Sequence, residues 1–122
     1  MKILQEATGS DRVVFRIVPS GRLDAVTVPT LEEFLQSELS AGHNYLILDL
    51  SEVSYLSSSG LRALLQARRQ AQAAGGDLVL AAMSVRAQEI FEMIGFTNLF
   101  RVFDRVAEAV VALTQPAVNS KS

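Results

Sequence analysis

Residues 45–50, Tyr-Leu-Ile-Leu-Asp-Leu, are apolar at every position but one and show no alternation. A strand with one wet face alternates apolar and polar side chains. A continuous run suits a strand covered on both faces, typically a central parallel one. A parallel neighbour needs a crossover, usually a helix, and the chain supplies helical patterns on either side. Before the run, Asp24 precedes a helical segment with Pro29 in its first turn, Val28, Leu31, Leu35 and Leu39 at spacings of three and four, Phe34 beside them, and Gly42 at its end. After it, a second helix is expected over about 60–74. That helix buries Leu61, Leu64, Leu65, Ala71 and Ala74, turns Arg62, Gln66, Arg69 and Gln70 to water, and stops at Gly75-Gly76.

The alternation continues. A strand at 77–82 leads to a helix that Ser84 can cap, with Ala87, Ile90, Phe91 and Ile94 on one side and Gly95 at its end. A last strand at 99–103 leads to a helix that Asp104 can cap, with Val106, Ala109, Val110 and Leu113 inward. Upstream, the β-branched run 13–18 reads as a strand, and a weaker one runs over 3–6 with a turn at 8–11. Pro19-Ser20-Gly21 looks like a break, beyond which Arg22 and Leu23 extend the strand. Residues 51–59 read as a connection, and the polar, proline-containing segment 115–122 as a disordered tail. Met83, Met93 and the aromatics Phe91, Phe96, Phe100 and Phe103 are expected to pack the core or cover its edge. The order β(β)αβαβαβα implies an α/β fold in one domain over 1–114, with right-handed crossovers between parallel strands.

Totals narrow the function. A net charge of −2 gives no global pull toward nucleic acid or anionic lipid. No apolar run approaches the roughly 20 residues that span a bilayer, and the first residues lack the apolar core of a signal peptide. With no cysteine there is no disulfide and no thiolate metal site, and a cytosolic location is the default. The spacing of Asp24, Asp49 and Glu52 shows no metal pattern, and no cofactor is expected. The one histidine, His43, reads as a solvated residue in a helix-to-strand turn.

The chemistry-bearing stretch is Ser57-Ser58-Ser59, between an apolar strand and the second helix. Any of the three can be an N-cap, which contributes about 1 kcal/mol. A nucleophile would need an activating base, and neither a serine–lysine spacing, a nucleophile elbow nor a phosphate-binding loop is present. A modification site is the third reading. A phosphate at a helix N-terminus adds about −1.5 to −2 charge that the fold tolerates and an acidic or close-packed partner does not.

The stretch LDLSEVSYLSSSGLRALL, from Leu48 to Leu65, resembles the central motif of the STAS domain, the sulphate transporter and anti-sigma-factor antagonist family. Asp49, Leu50, Ser51, Val53, Tyr55, Ser58, Ser59, Gly60 and Leu61 match that motif position by position, GRLDAVTVPTLEEFL resembles the first loop and helix, and the likeness covers roughly 10–114. The resemblance implies a small mixed sheet with four helices and no catalysis of its own. It implies a role in transcription regulation and stress response, through partner switching. The unmodified protein binds an anti-sigma factor that is also a serine kinase, phosphorylation releases it, and a PP2C-type phosphatase restores binding. The family's phosphoacceptor precedes Gly-Leu, which here is Ser59, with Ser58 the alternative acceptor. Asp24, Ser57, Ser58, Gly60 and Arg62 would face the partner. Where acceptor-bearing members carry aspartate two residues before the acceptor, this chain has Ser57. That departure leaves a second reading, a constitutive STAS adaptor of a transport or scaffold complex.

Overall fold

The structure is a computed structural model that describes residues 2–8, 13–93, 95 and 98–114. Its elements are β1 (Lys2–Thr8), β2 (Val14–Leu23), α1 (Val28–Ser40), β3 (Tyr45–Asp49), β4 (Val53–Leu56), α2 (Ser58–Ala73), β5 (Asp77–Ala81), α3 (Val85–Met93), β6 (Val102–Phe103) and α4 (Val106–Thr114). The sheet runs β1-β2-β3-β5-β6, with β4 paired to β2 alone. Only β1 and β2 are antiparallel, and every other pair is parallel, so the sheet is mixed as expected.

β3 lies between β2 and β5, and its successive residues point to opposite faces, each face covered. Leu46 and Leu48 join Ile17, Leu78 and Leu80 beneath Leu31 and Leu35 of α1, Leu61 and Leu64 of α2 and Phe91 of α3. Ile47 points the other way, into a smaller cluster with Val14, Val79, Ala81 and, from α4, Ala109 and Leu113. That two-sided burial is the physical reason the run does not alternate.

Asp49, the polar exception in the run, is 1% exposed, the one buried charged residue among those described. Arg16 of β2 meets its Oδ2 through Nε at 2.9 Å and Nη2 at 2.8 Å, and the Ser51 N–H donates to Oδ1 at 2.9 Å. Arg16 also reaches Glu6 of β1 at 2.6 Å. Burial pushes the Asp49 carboxyl up, but the hydrogen bonds from Ser51 and the Arg16 guanidinium outweigh it and hold the group below its ordinary value. Bonds to Glu6 and Asp49 raise Arg16 in turn.

Several boundaries differ from the sequence expectation. The connection over 51–59 contains β4, whose four residues lie along the same edge of β2 as β3 does, one beyond the other. β2 is continuous through Pro19 and Gly21, with an irregularity between Gly21 and Arg22 where pairing to β4 begins. The last strand shrinks from five residues to Val102–Phe103, and α2 starts at Ser58, two residues early. Ser84 caps α3 as expected, through the Ala87 N–H. At α4 it is the Arg105 carbonyl that accepts from Glu108 and Ala109, and no Asp104 cap bond forms among the described residues. Ala74 is exposed, and Met93 is 81% exposed on the outer face of α3 rather than packed. His43 is not a solvated loop residue. Its ring stacks on Phe15 with centroids 3.9 Å apart, and Nδ1 lies 2.8 Å from the Glu38 carboxylate. Most of the expected turn at 8–11, together with Ile94, Phe96 and the 115–122 tail, lies outside the described residues.

Candidate functional site

The end of β2 and the serine run are held together by backbone pairing. Arg22 pairs with Tyr55 and Leu23 with Leu56, and the ladder continues one residue further as the Ser57 N–H donates to the Leu23 carbonyl at 2.8 Å. Asp24 follows Leu23 directly, so the first loop and the start of α2 share one end of the sheet.

Ser57 is the N-cap of α2, not Ser58 or Ser59. Its backbone is extended, at φ −88° and ψ 168°, and its Oγ accepts from the Gly60 N–H at 3.1 Å. Its carbonyl accepts from Leu61 at 3.0 Å. Ser57 Oγ also lies 2.9 Å from Ser59 Oγ, so the cap hydroxyl holds the hydroxyl two residues on. Ser58 is exposed, while Ser57 and Ser59 are half-buried. The unpaired N–H groups of a helix's first turn and the positive end of its dipole favour negative charge at this position. Arg62 is exposed three residues after Ser59, on the same helical face.

Gly60 allows the close approach that sets this geometry. A Cβ there would lie 3.1 Å from Leu56 Cδ1 and 3.3 Å from both Cβ and the carbonyl oxygen of Leu23. Gly60→Val is expected to cost about 2 kcal/mol, because one of its close neighbours is backbone and cannot rotate away. Urea melts of the two proteins would measure it, and a loss near zero would mean that α2 stands further from β2 than described.

Asp24 is committed to its own turn. Its Oδ1 accepts from the Val26 N–H at 3.0 Å and the Thr27 N–H at 3.2 Å, and Arg22 Nε reaches Oδ2 at 3.2 Å. The Arg22 bond first, and the Thr27 backbone bond next, hold this carboxyl below its ordinary value. No hydrogen bond joins it to the serines among the described residues. Arg22 also lies over the half-exposed ring of Tyr55, 4.3 Å from its centroid. The structure thus adds Arg22 and Tyr55 to this end of the sheet. Tyr55 lies two residues before Ser57 in the motif, but Arg22 does not stand out as a neighbour of the serines in sequence, because its contact depends on the β2–β4 pairing.

Tyr55, Ser58 and Arg62 are exposed at this end of the sheet. The cavity adjoining it, between β4 and the start of α3, measures about 50 Å³, against the few hundred of a small-molecule site. Among the described residues no group of three His, Cys, Asp or Glu side chains is placed to hold a metal ion, and no helix is long and apolar enough to cross a membrane. His43 belongs to the opposite end of β2, beside Phe15.

Comparison with known proteins gives a consistent picture. The family pattern described as the STAS domain matches residues 5–109. The anti-sigma-B factor antagonist of Listeria monocytogenes is 30% identical over 102 residues, 84% of this chain and 90% of its own. The crystal structure of an anti-sigma factor antagonist from Mycobacterium paratuberculosis superimposes with a TM-score of 0.78 at 24% identity, over 93% of this chain and 96% of that one. The Bacillus protein SpoIIAA, solved in unphosphorylated and phosphorylated forms, gives TM-scores of 0.65 and 0.64 at 20% identity, over 89% of this chain and 96% and 98% of those chains.

Proposed function

The chain belongs to the anti-sigma factor antagonist family of STAS domain proteins, and from that membership we propose that it works by partner switching at the N-terminus of α2. Unmodified, the surface formed by Asp24, Ser57, Ser58 and Arg62, with Gly60 buried beneath it rather than facing the partner, binds an anti-sigma factor that is also a serine kinase, freeing the sigma factor. That kinase phosphorylates Ser59, the complex dissociates, and a PP2C-type phosphatase returns the domain to its binding form. The domain itself is a regulator, acting on no substrate.

One observation carries this reading. The Ser59 hydroxyl sits in the first turn of a surface helix, bonded to another hydroxyl rather than to backbone. A phosphate can replace its proton without removing any backbone hydrogen bond. The helix N-terminus and Arg62 offset the added charge within the domain, so the cost falls on whatever packs against it. Ser57 keeps the cap that an aspartate would otherwise supply and places no carboxylate beside the phosphate.

Ser57, standing where acceptor-bearing members carry aspartate, favours the second reading, a constitutive adaptor. Incubation with ATP and the cognate kinase, followed by mapping of the phosphopeptide, separates the two. Phosphate is expected on Ser59 and absent from Ser59→Ala. A protein left unmodified across 57–59 would lose the switch and keep the adaptor.

A further inference from the structure

β1 is an edge of the sheet. Its seven residues pair with β2 on one side, and no strand pairs with the other among the described residues. The opposite edge, β6, has two residues, and short edges are one way natural sheets avoid pairing with other chains. β1 is long, straight in register and free of proline. Its side chains divide cleanly. Ile3 packs toward the helical core, and Gln5 hydrogen-bonds Glu38 of α1. Lys2, Leu4 and Glu6 lie on the other face, opposite Ser20, Val18 and Arg16. α4 covers that face over Val14, β3, β5 and β6, and Leu4 is left 56% exposed.

We infer that β1 is the seam of a symmetric dimer, in which two copies of this chain pair antiparallel about a two-fold axis through Leu4. The sequence Lys2-Ile3-Leu4-Gln5-Glu6 is complementary to itself in that register. Each Lys2 faces the other copy's Glu6, and the two exposed Leu4 side chains meet at the axis. Opposite charges and apolar pairs directly across strands are the favourable cross-strand contacts. A slip of two residues in either direction sets Leu4 against Glu6 or against Lys2, so only one register satisfies all three positions. Glu6 would then sit between Arg16 of its own chain and the lysine opposite. The interface is isologous and closes on itself, joining two sheets into one without propagating. It lies away from the α2 N-terminus and is independent of the function proposed there.

Sedimentation of the full chain from micromolar to millimolar concentration tests it. The expected result is a shift from 13.2 kDa to twice that mass. Leu4→Lys, which sets two ammonium groups together at the axis, should yield a monomer with an unchanged circular dichroism spectrum. Lys2→Glu and Glu6→Lys should each weaken the dimer roughly tenfold or more. Mixing those two variants should restore it, because every pair again joins opposite charges. A chain that stays monomeric at millimolar concentration overturns the inference and leaves β1 as an edge for a different polypeptide. A dimer indifferent to Leu4→Lys, or a mixture no tighter than its components, overturns it as well.

Discussion

Replacing Arg16 with methionine should destabilise the domain by about 3 kcal/mol at pH 7, the low end of the range for stranding a buried charge. Arg16 is itself a third exposed, so part of the gap it leaves will fill with water and limit the loss. Asp49 is the group left behind. It is 1% exposed and would keep the Ser51 N–H while losing the guanidinium. The pH dependence separates this cause from lost packing. In the native domain the Asp49 pKa is lowered, so its contribution is present above the unfolded value of about 3.9 and disappears as pH falls through the folded one. Without Arg16 one of the influences that lower the Asp49 pKa is gone, the pKa moves up, and the variant recovers by taking up a proton. The deficit should therefore be largest at neutral pH and should narrow on acidification. Chemical denaturation of both proteins at neutral and acidic pH measures it. A deficit that stays constant with pH would assign the loss to the arginine's aliphatic stem instead.

Ser59→Asp should weaken binding to the cognate anti-sigma factor by about a hundredfold, since like charges set against each other at an interface cost several kcal/mol. Ser59→Ala should bind as the native protein does. The same aspartate should leave the melting temperature unchanged or slightly raised, because a negative charge in the first turn of a helix is favourable by about 0.3–1 kcal/mol. The prediction is thus a divergence. Affinity falls while stability does not, measured by titration calorimetry and thermal denaturation on one preparation. If the two fell together, the helix start would be deforming. If affinity held, charge at Ser59 would not be the signal.

How far the sequence could be read follows from the range of the forces involved. The central strand and the four helices were legible because apolar spacing and Ser, Pro and Gly punctuation are local. β4 was not, because Val53-Ser54-Tyr55-Leu56 is four residues long and buries only its first and last, which matches no simple alternation. Its existence depends on β2 offering an edge beyond the end of β3. β2 looked broken at Pro19-Ser20-Gly21 for the complementary reason: an internal proline and glycine lower strand propensity, and only the β1 partner shows the pairing to be continuous. The serine run was recognisable as the place of interest. Which serine caps the helix was not, since Ser57 is placed there by its N–H reaching Leu23, far away in sequence. The partners of His43 come from α1 and β2 and leave no mark near His43 itself. Met93 misled in the opposite direction, as an apolar residue on a face that none of the described residues covers.

The backbone bond from Ser57 to Leu23 and the tight seat of Gly60 fix the start of α2 to the same strand that anchors the core. A helix end held in this way has little freedom to open on its own. Under the proposed function its two chemical states would differ in charge and hardly in shape. The time taken to change state would then be that of phosphoryl transfer and hydrolysis by the two enzymes, with no slow rearrangement of the domain added. Repeated cycling would expose no unfolded segment to proteases.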